Sequence, residues 1–320
     1  MVAEVVRNDF VESVHHGRVV AVDGESGRVL LSVGDPDAPV LPRSALKPLQ
    51  SLAMLRAGWA PDDDAYVAIA SASHSGEQPH VDVVRRLLAS VGLDESALDN
   101  TVGLPLSAEA AREVIRAGGD ADKLRHNCSG KHAAMLATCV VNDWPVSGYR
   151  ELQHPLQQVI RAAIEDIADE PVSVMAVDGC GAPAFGLSLT AVARAFTRLV
   201  TAPTGTRERH VADAMRAHPF LVGGTDRDVT TLMQQIDGLI VKDGAEGVAA
   251  AATADGVGIA LKIDDGGGRA RTPVLVDVLK NFGHDMSDLM AMASPPVLGH
   301  GMAVGHVRAC IHRTGDIRGK

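Results

Sequence analysis

The sequence predicts an α/β chain of the α+β type: a mixed, mainly antiparallel sheet from both chain ends, flanked by helices, with a helical lobe inserted between the two parts. Strand patterns occur near the N-terminus and again after residue 238, whereas the stretch between them is mostly helical. With 320 residues, 46% of them hydrophobic, the chain can form one large domain. We expect a single domain over 1–320, with a sheet region of about 1–43 and 170–320 and a helical lobe of about 44–169.

The first predicted element is a β-hairpin. Strand patterns at 18–22 and 28–33 flank the glycine-containing turn 23–27. A helix follows over 44–57, because leucines recur along one side and Pro48 falls near the first turn, where its missing N–H is tolerated. The short apolar run 66–70 then leads into the polar segment 71–77, a pattern also typical of a turn between a strand and a helix.

The remaining elements follow from apolar periodicity and from their end signals. A buried strand is predicted at 172–177, and Asp226 is a candidate cap for the helix at 228–235. The turn Asp255-Gly256 separates two of the later strands. The other helices are predicted at 79–91, 107–117, 131–141, 155–168, 188–200, 206–217 and 271–282, and the other strands at 239–243, 247–253, 257–263 and 302–308.

Composition excludes several classes of protein. The net charge of −10 argues against a nucleic-acid binder, which usually carries a basic stripe. No apolar run approaches the roughly 20 residues that span a bilayer, and the N-terminus does not resemble a signal peptide. The 4 cysteines of this long chain do not suggest a disulfide framework. We therefore expect a soluble cytoplasmic protein that binds no nucleic acid and no membrane.

A Ser-x-x-Lys pair stands at the start of the first predicted helix. Residues three apart on a helix share a face, so Ser44 and Lys47 can meet. A serine hydroxyl becomes a good nucleophile when a base removes its proton, and a lysine with a lowered pKa can be that base. Such a pair occurs by chance in most chains of this size, so it needs support from elsewhere in the sequence.

Two further polar residues could provide that support. Ser73 lies in the polar segment 71–77, which is equally typical of a turn rich in capping residues. Lys242 lies inside a predicted strand, where an isolated lysine commonly protects a sheet edge from aggregation. Each of the two is ambiguous by itself.

Cys128 and Cys180 both lie in glycine-flanked turns, from which thiolates can project inward. They could be metal ligands, buried thiols or a redox-sensitive pair. As a third metal ligand, chemistry alone favours His132 over Lys131, because a lysine must lose its proton before it binds a metal. The spacing of these residues is not a standard zinc pattern.

Taken together, these segments resemble the asparaginase II family, the rhizobial-type or class 3 L-asparaginases. Five motifs occur in the order and at the approximate spacing of that family, and they cover most of the chain. The motifs are Arg43-Ser44-x-x-Lys47-Pro48, Ala72-Ser73-His74-Ser75-x-Glu77, Asn127-Cys128-Ser129-Gly130-Lys131-His132, Asp178-Gly179-Cys180 and Asp237-Gly238-x-x-x-Lys242.

The resemblance implies a fold similar to that of serine β-lactamases, penicillin-binding proteins and glutaminases. It also implies two Ser-Lys pairs, in which Ser44 with Lys47 is the nucleophile pair and Ser73 with Lys242 is the second pair. The implied reaction is hydrolysis of L-asparagine to L-aspartate and ammonia through a covalent acyl-enzyme on Ser44. Lowering the pKa of a lysine from about 10.4 to 7–8 costs about 4 kcal/mol, which burial and clustered cations can supply.

A zinc ion (Zn2+) near the substrate is implied as well. The resemblance assigns it to Cys128, Lys131 and Cys180, with water as a further ligand. Asp178 and His132 would flank this metal site and, with Arg43, contact the substrate. The family further suggests a homodimer.

Three other functions stay open. Glutamine or another amide could be the substrate of the same fold. A β-lactam is a second possibility, because Lys242-Asp243-Gly244 resembles the Lys-Thr-Gly element of β-lactamases, although no Ser-Asp-Asn accompanies it. A non-catalytic zinc-binding or amino-acid-binding protein of this fold is the third.

Overall fold

The computed structural model describes residues 1–311. Within this range the strands are β1 (Ala3–Arg7), β2 (Phe10–His15), β3 (Gly17–Asp23), β4 (Val29–Val33), β5 (Val174–Val177), β6 (Pro183–Gly186), β7 (Ile240–Gly244), β8 (Val248–Ala252), β9 (Val257–Ile263), β10 (Pro296–Gly299) and β11 (Met302–Ala309).

The helices cover most of the middle of the chain. They are α1 (Lys47–Arg56), α2 (Asp64–Ala70), α3 (Gln78–Ala89), α4 (Ala108–Arg116), α5 (Ser129–Val141), α6 (Pro155–Ala168), α7 (Leu189–Thr201), α8 (Arg207–Ala217), α9 (Pro219–Val222), α10 (Asp228–Gln235), α11 (Gly268–Asn281) and α12 (Met290–Ala293).

Both ends of the chain build the sheets. A five-stranded sheet has the order β4-β3-β9-β8-β7, and a four-stranded sheet has the order β10-β11-β1-β2. The strand pairs in both sheets are antiparallel, with Gly17 opposite Ile263 where β3 meets β9. The predicted α+β fold, with antiparallel sheet from both chain ends flanked by helices, is therefore confirmed. The domain boundaries proposed from the sequence stay a prediction.

Helices α1, α2 and α5 form the buried layer on which the candidate site is built. Each is buried over most of its length. At Gly130, in the first turn of α5, a Cβ atom would lie 2.3 Å from the Ile69 carbonyl oxygen. Only glycine allows this close approach of α5 to α2, so the glycine of the Cys-Ser-Gly-Lys motif has a packing role. One apolar core extends from Val2 to Leu289.

Three details differ from the sequence-based expectations. The apolar run 66–70 belongs to helix α2, which begins where the Asp63 side chain accepts a hydrogen bond from the Ala65 N–H. Strand β5 is mostly exposed, whereas a buried strand was expected, because it has a partner only in β6 within the described sheets. Asp226 is not the cap of α10: its φ of 56° is left-handed, and Arg227 occupies the cap position.

The four-stranded sheet was missed except for β11. Its strands β1, β2 and β10 are short, and β2 lies at an edge with exposed residues, so they lack a strong alternation of apolar and polar residues. Within the described part of the chain, every helix is too short or too polar to cross a membrane.

Candidate active site

Ser44 lies in a single 3₁₀ turn, Arg43–Leu46, directly before α1. Arg43 enters this turn with a left-handed φ of 55°, which is costly for a residue with a side chain. Two hydrogen bonds to Asp178 Oδ1, 2.8 Å from Nε and 2.6 Å from Nη2, hold the arginine there. The result is a sharp entry to the helix that leaves Ser44 partly exposed.

The electrostatics of the turn favour an ionised Asp178. Burial alone would raise the pKa of its carboxyl, but the charges of Lys131 and Arg43 outweigh that effect and hold the pKa below its ordinary value. The carboxylate therefore stays charged, with one oxygen already bound by Arg43.

Strand β7 runs close beside the same turn. A Cβ atom at Gly244 would lie 2.4 Å from the Pro42 carbonyl oxygen and 3.4 Å from the Ala45 nitrogen. The glycine that ends the Lys-Asp-Gly sequence of β7 thus permits contact between strand and turn. Through this contact β7, which carries Lys242, is fixed relative to Ser44.

The Lys47 ammonium points away from the exposed surface and is 1% exposed as a residue. Its Nζ atom lies 3.2 Å from Ser73 Oγ and 3.2 Å from Cys128 Sγ. It also donates to the carbonyl oxygens of Ala72, at 2.5 Å, and Asn127, at 3.3 Å. None of its hydrogen bonds within residues 1–311 goes to the Ser44 side chain, so the serine hydroxyl that Lys47 contacts is that of Ser73.

Lys242 is fully buried, and its amine is held by the residue that follows it. Nζ donates to the Asp243 carbonyl oxygen at 2.7 Å and also to the Asp243 carboxylate. Burial lowers the pKa of Lys242 to about 8; the Asp243 charge opposes this, and the charges of Lys47 and Arg227 add to it. A lysine with such a pKa can act as a base near neutral pH.

Asp243 binds several cations at once. Besides Lys242, its Oδ2 atom accepts a hydrogen bond from Arg227 Nη2 at 2.7 Å and lies 3.7 Å from Arg271 Nη1. Burial alone would raise the pKa of this carboxyl, but the three cations outweigh it and hold the pKa well below its ordinary value. The carboxylate is therefore ionised and connects Lys242 to two arginines.

Cys128 and Cys180 pack against each other in a small buried cluster at the N-terminal end of α5. The side-chain contact with Cys180 lowers the pKa of the Cys128 thiol most; burial opposes it, and the charges of Lys47 and Lys131 add to it. The net result is a pKa well below the ordinary value. The two thiols are separate and free of disulfide.

Lys131 completes this group. Its Nζ atom lies 3.2 Å from Cys180 Sγ. Burial alone would lower the pKa of Lys131, but the charges of Cys180 and Cys128 outweigh it, so the pKa lies above its usual value. Within residues 1–311, no cluster of three His, Cys, Asp or Glu side chains could hold a metal ion. The predicted zinc ligands Cys128, Lys131 and Cys180 thus lie together, but Lys131 must lose its proton before it binds a metal, and a zinc ion at this place stays a prediction.

His132 is buried behind this cluster. Its Nδ1 atom lies 2.7 Å from the Tyr149 hydroxyl, and the two rings meet edge to face. Burial lowers the pKa of His132 to about 4, so the ring is neutral at physiological pH. The structure thus brings Lys131 and His132 close to the thiols, while the role of His132 toward a substrate stays a prediction.

Sequence reasoning missed two members of this region. Arg227 lies 154 residues from Ser73 along the chain, yet it donates from Nη1 to the Ser73 carbonyl oxygen at 3.1 Å. No local pattern marked it, because its partners come from other segments. Asp243 could have been noticed as the carboxylate that directly follows Lys242.

A partly exposed serine and two buried amines, gathered beside an antiparallel sheet, suit a hydrolase. The chain belongs to the L-asparaginase II family, which it matches over residues 3–309. It is accordingly an amidohydrolase that acts on a small-molecule substrate. Among curated protein sequences, none matches this chain.

Several solved structures are similar in overall chain path. Mglu in its native form shares 14% sequence identity, covering 87% of this chain and 67% of its own, with a TM-score of 0.46. A beta-lactamase from Mycobacterium bovis shares 14% identity, covering 84% and 95% of the two chains, with a TM-score of 0.46. EstCE1, a hydrolase with promiscuous acyltransferase activity, shares 14% identity, covering 78% and 88%, with a TM-score of 0.41. Likenesses of this size carry no information on substrate.

Proposed function

We propose that this protein is an L-asparaginase that hydrolyses L-asparagine to L-aspartate and ammonia. The observation that supports this most is the presence of two buried lysine amines in the elements that adjoin the Ser44 turn: Lys47, bonded to Ser73, and Lys242, with a pKa near 8. Such amines suit proton transfer to and from a serine hydroxyl and a leaving amide nitrogen.

In the proposed reaction Ser44 attacks the side-chain amide carbon of asparagine. Its proton passes to the group formed by Lys47, Ser73 and Lys242, in which a lysine amine in its neutral form acts as the base. The oxyanion is stabilised by backbone N–H groups, among them that of Ser44 at the start of the helix. Ammonia leaves with a proton returned from the same group, and water then hydrolyses the aspartyl ester.

Arg43 and Asp178 are the proposed binding groups for the amino-acid end of the substrate. The guanidinium, with Nε and Nη2 engaged by Asp178, retains Nη1 for the substrate carboxylate. The Asp178 carboxylate, ionised by its cationic neighbours, suits the substrate ammonium. Both residues adjoin the Ser44 turn, which places these contacts next to the nucleophile.

We also propose that Cys128, Lys131 and Cys180 hold a zinc ion. The metal would supply positive charge that positions polar groups of the substrate, because two thiolates reduce its power as a Lewis acid. Lys131 must lose its proton to bind, so metal affinity would increase with pH. A homodimer and a cytoplasmic location are further proposals, tested by light scattering and by cell fractionation.

The experiment that tests the activity is ammonia release from L-asparagine and L-glutamine. Wild type, Ser44→Ala and the control Ser147→Ala would be compared; Ser147 is exposed and lies outside the candidate site. We expect release from asparagine that collapses in Ser44→Ala only. Release from glutamine alone would move the assignment to a glutaminase, and binding of asparagine without release would favour a non-catalytic protein.

A further inference from the structure

Arg227 connects two parts of the candidate site that no other described side chain joins in this way. From one guanidinium, Nη1 donates to the Ser73 carbonyl oxygen at 3.1 Å and Nη2 donates to Asp243 Oδ2 at 2.7 Å. The other oxygen of Asp243 accepts from Lys242 Nζ. A planar guanidinium with fixed donor directions can hold two acceptors in a defined relation, which a flexible ammonium cannot do.

The surroundings of Arg227 are themselves firmly held. Segment 222–227 is hydrogen-bonded to segment 73–77. The Ser73 N–H donates to the Val222 carbonyl oxygen at 3.2 Å, and Thr225 donates to both carboxylate oxygens of Glu77. On the other side, Asp243 lies 3.7 Å from Arg271, which pairs with Asp228 at 2.6 Å. Arg227 therefore lies between two fixed units, one with Ser73 and one with Lys242.

We propose that Arg227 and Asp243 are a positioning pair that holds Ser73 and Lys242 in the arrangement needed for proton transfer. This inference rests on the proposed function, because it assigns Ser73 and Lys242 to that reaction. Neither Arg227 nor Asp243 touches the substrate in this proposal. They act through the serine backbone and through the lysine amine.

The two residues have opposite charges, which gives each a distinct signature. Asp243 favours the charged form of Lys242 and Arg227 disfavours it. Loss of the Asp243 charge therefore lowers the pKa of Lys242 below about 8, and loss of the Arg227 charge raises it. The charged groups that act on this amine are Asp243 on β7, Lys47 from α1 and Arg227 at the start of α10. Arg271 from α11 and its partner Asp228 lie on the far side of Asp243.

The test compares Asp243→Asn, Arg227→Gln and Arg227→Lys with the surface control Arg85→Gln. The pH profile of kcat for asparagine and the folded fraction by circular dichroism are measured for each. We expect the rising limb of the profile to move to lower pH in Asp243→Asn and to higher pH in Arg227→Gln. Arg227→Lys keeps the charge but loses one of two hydrogen bonds, so kcat falls on the order of 10²-fold with little change in the limb.

Wild-type profiles in folded Asp243→Asn and Arg227→Gln would overturn the proposal. Shifts of the rising limb in the same direction in both variants would also overturn it, and so would losses of kcat that match the loss of folded protein. The pKa of Lys242, read by NMR of ¹³C-labelled lysine, separates this inference from the proposed function. If wild type released no ammonia, opposite shifts of that pKa would still support the pair, and unchanged values would reject it.

Discussion

Lys47 Nζ lies 3.2 Å from the hydroxyl of Ser73, which is 26 residues away in the chain. Within residues 1–311, its hydrogen bonds do not include the side chain of Ser44, although Ser44 lies only three residues before it. Ser44 lies partly exposed in the 3₁₀ turn before α1, whereas Lys47 is buried and its ammonium binds acceptors from other segments of the chain. A spacing of three residues therefore does not by itself make the two side chains of the motif meet.

The pH dependence of the reaction should follow Lys242. With a folded-state pKa of about 8, its amine is mostly charged below that pH and mostly neutral above it. If the neutral form is the base, kcat rises with pH and levels off above about pH 8. Lys242→Met should remove this limb and lower kcat by about 10²–10⁴-fold. Ammonia assays from pH 6 to 9.5 measure the pH dependence of kcat. Lys280→Met is the control, because Lys280 is exposed. A flat wild-type profile would contradict the assignment.

Gly244→Ala should damage both stability and activity. The new methyl group would lie 2.4 Å from the Pro42 carbonyl oxygen, so β7 and the Ser44 turn must separate. Overpacking of this kind costs about 1–3 kcal/mol of the free energy of unfolding. Urea denaturation and kcat together measure the effect. Gly268→Ala is the matched control, since its Cβ meets nothing within 4 Å. Equal free energies of unfolding and equal kcat values in the two variants would argue against close contact of strand and turn.

Asp178→Asn should act mainly on substrate binding. The change removes the charge that Arg43 holds through two hydrogen bonds and the proposed partner of the substrate ammonium. Loss of one charged hydrogen bond costs about 1.5–3 kcal/mol, so KM for asparagine should rise by about 10- to 100-fold. Steady-state kinetics measure this against the surface variant Asp35→Asn. A variant with normal KM and abolished kcat would instead place Asp178 in the chemical step.

Removal of metal should weaken binding more than turnover. If zinc positions the substrate, a chelator that extracts it raises KM more than it lowers kcat, and added zinc restores the original values. Elemental analysis of wild type and Lys131→Met gives the metal content directly, with Lys123→Met as control. We expect about one zinc per chain in wild type and loss in Lys131→Met. Metal-free enzyme with unchanged KM and no turnover would contradict a positioning role for the zinc ion.

The residues that we propose for the chemistry could be found from the sequence because they lie in short, ordered motifs. Ser44, Lys47, Ser73 and Lys242 were all singled out there, and the structure places Lys47 on Ser73 and the strand of Lys242 against the Ser44 turn. The hairpin and helix α6, with Pro155 at its first position, were equally visible, because capping and periodicity act within a few residues.

What the sequence by itself determined is the α+β class, most helices and the set of candidate residues. The tertiary structure alone decided which of them meet: Lys47 with Ser73, Lys242 with Asp243, and Arg227 between the two. The physical reason is the range of the interactions. Propensity and capping act within a few residues, whereas a buried side chain binds whatever acceptors the tertiary packing brings to it. For the Lys47 ammonium these acceptors lie up to 81 residues away in the chain, and for the Arg227 guanidinium up to 154.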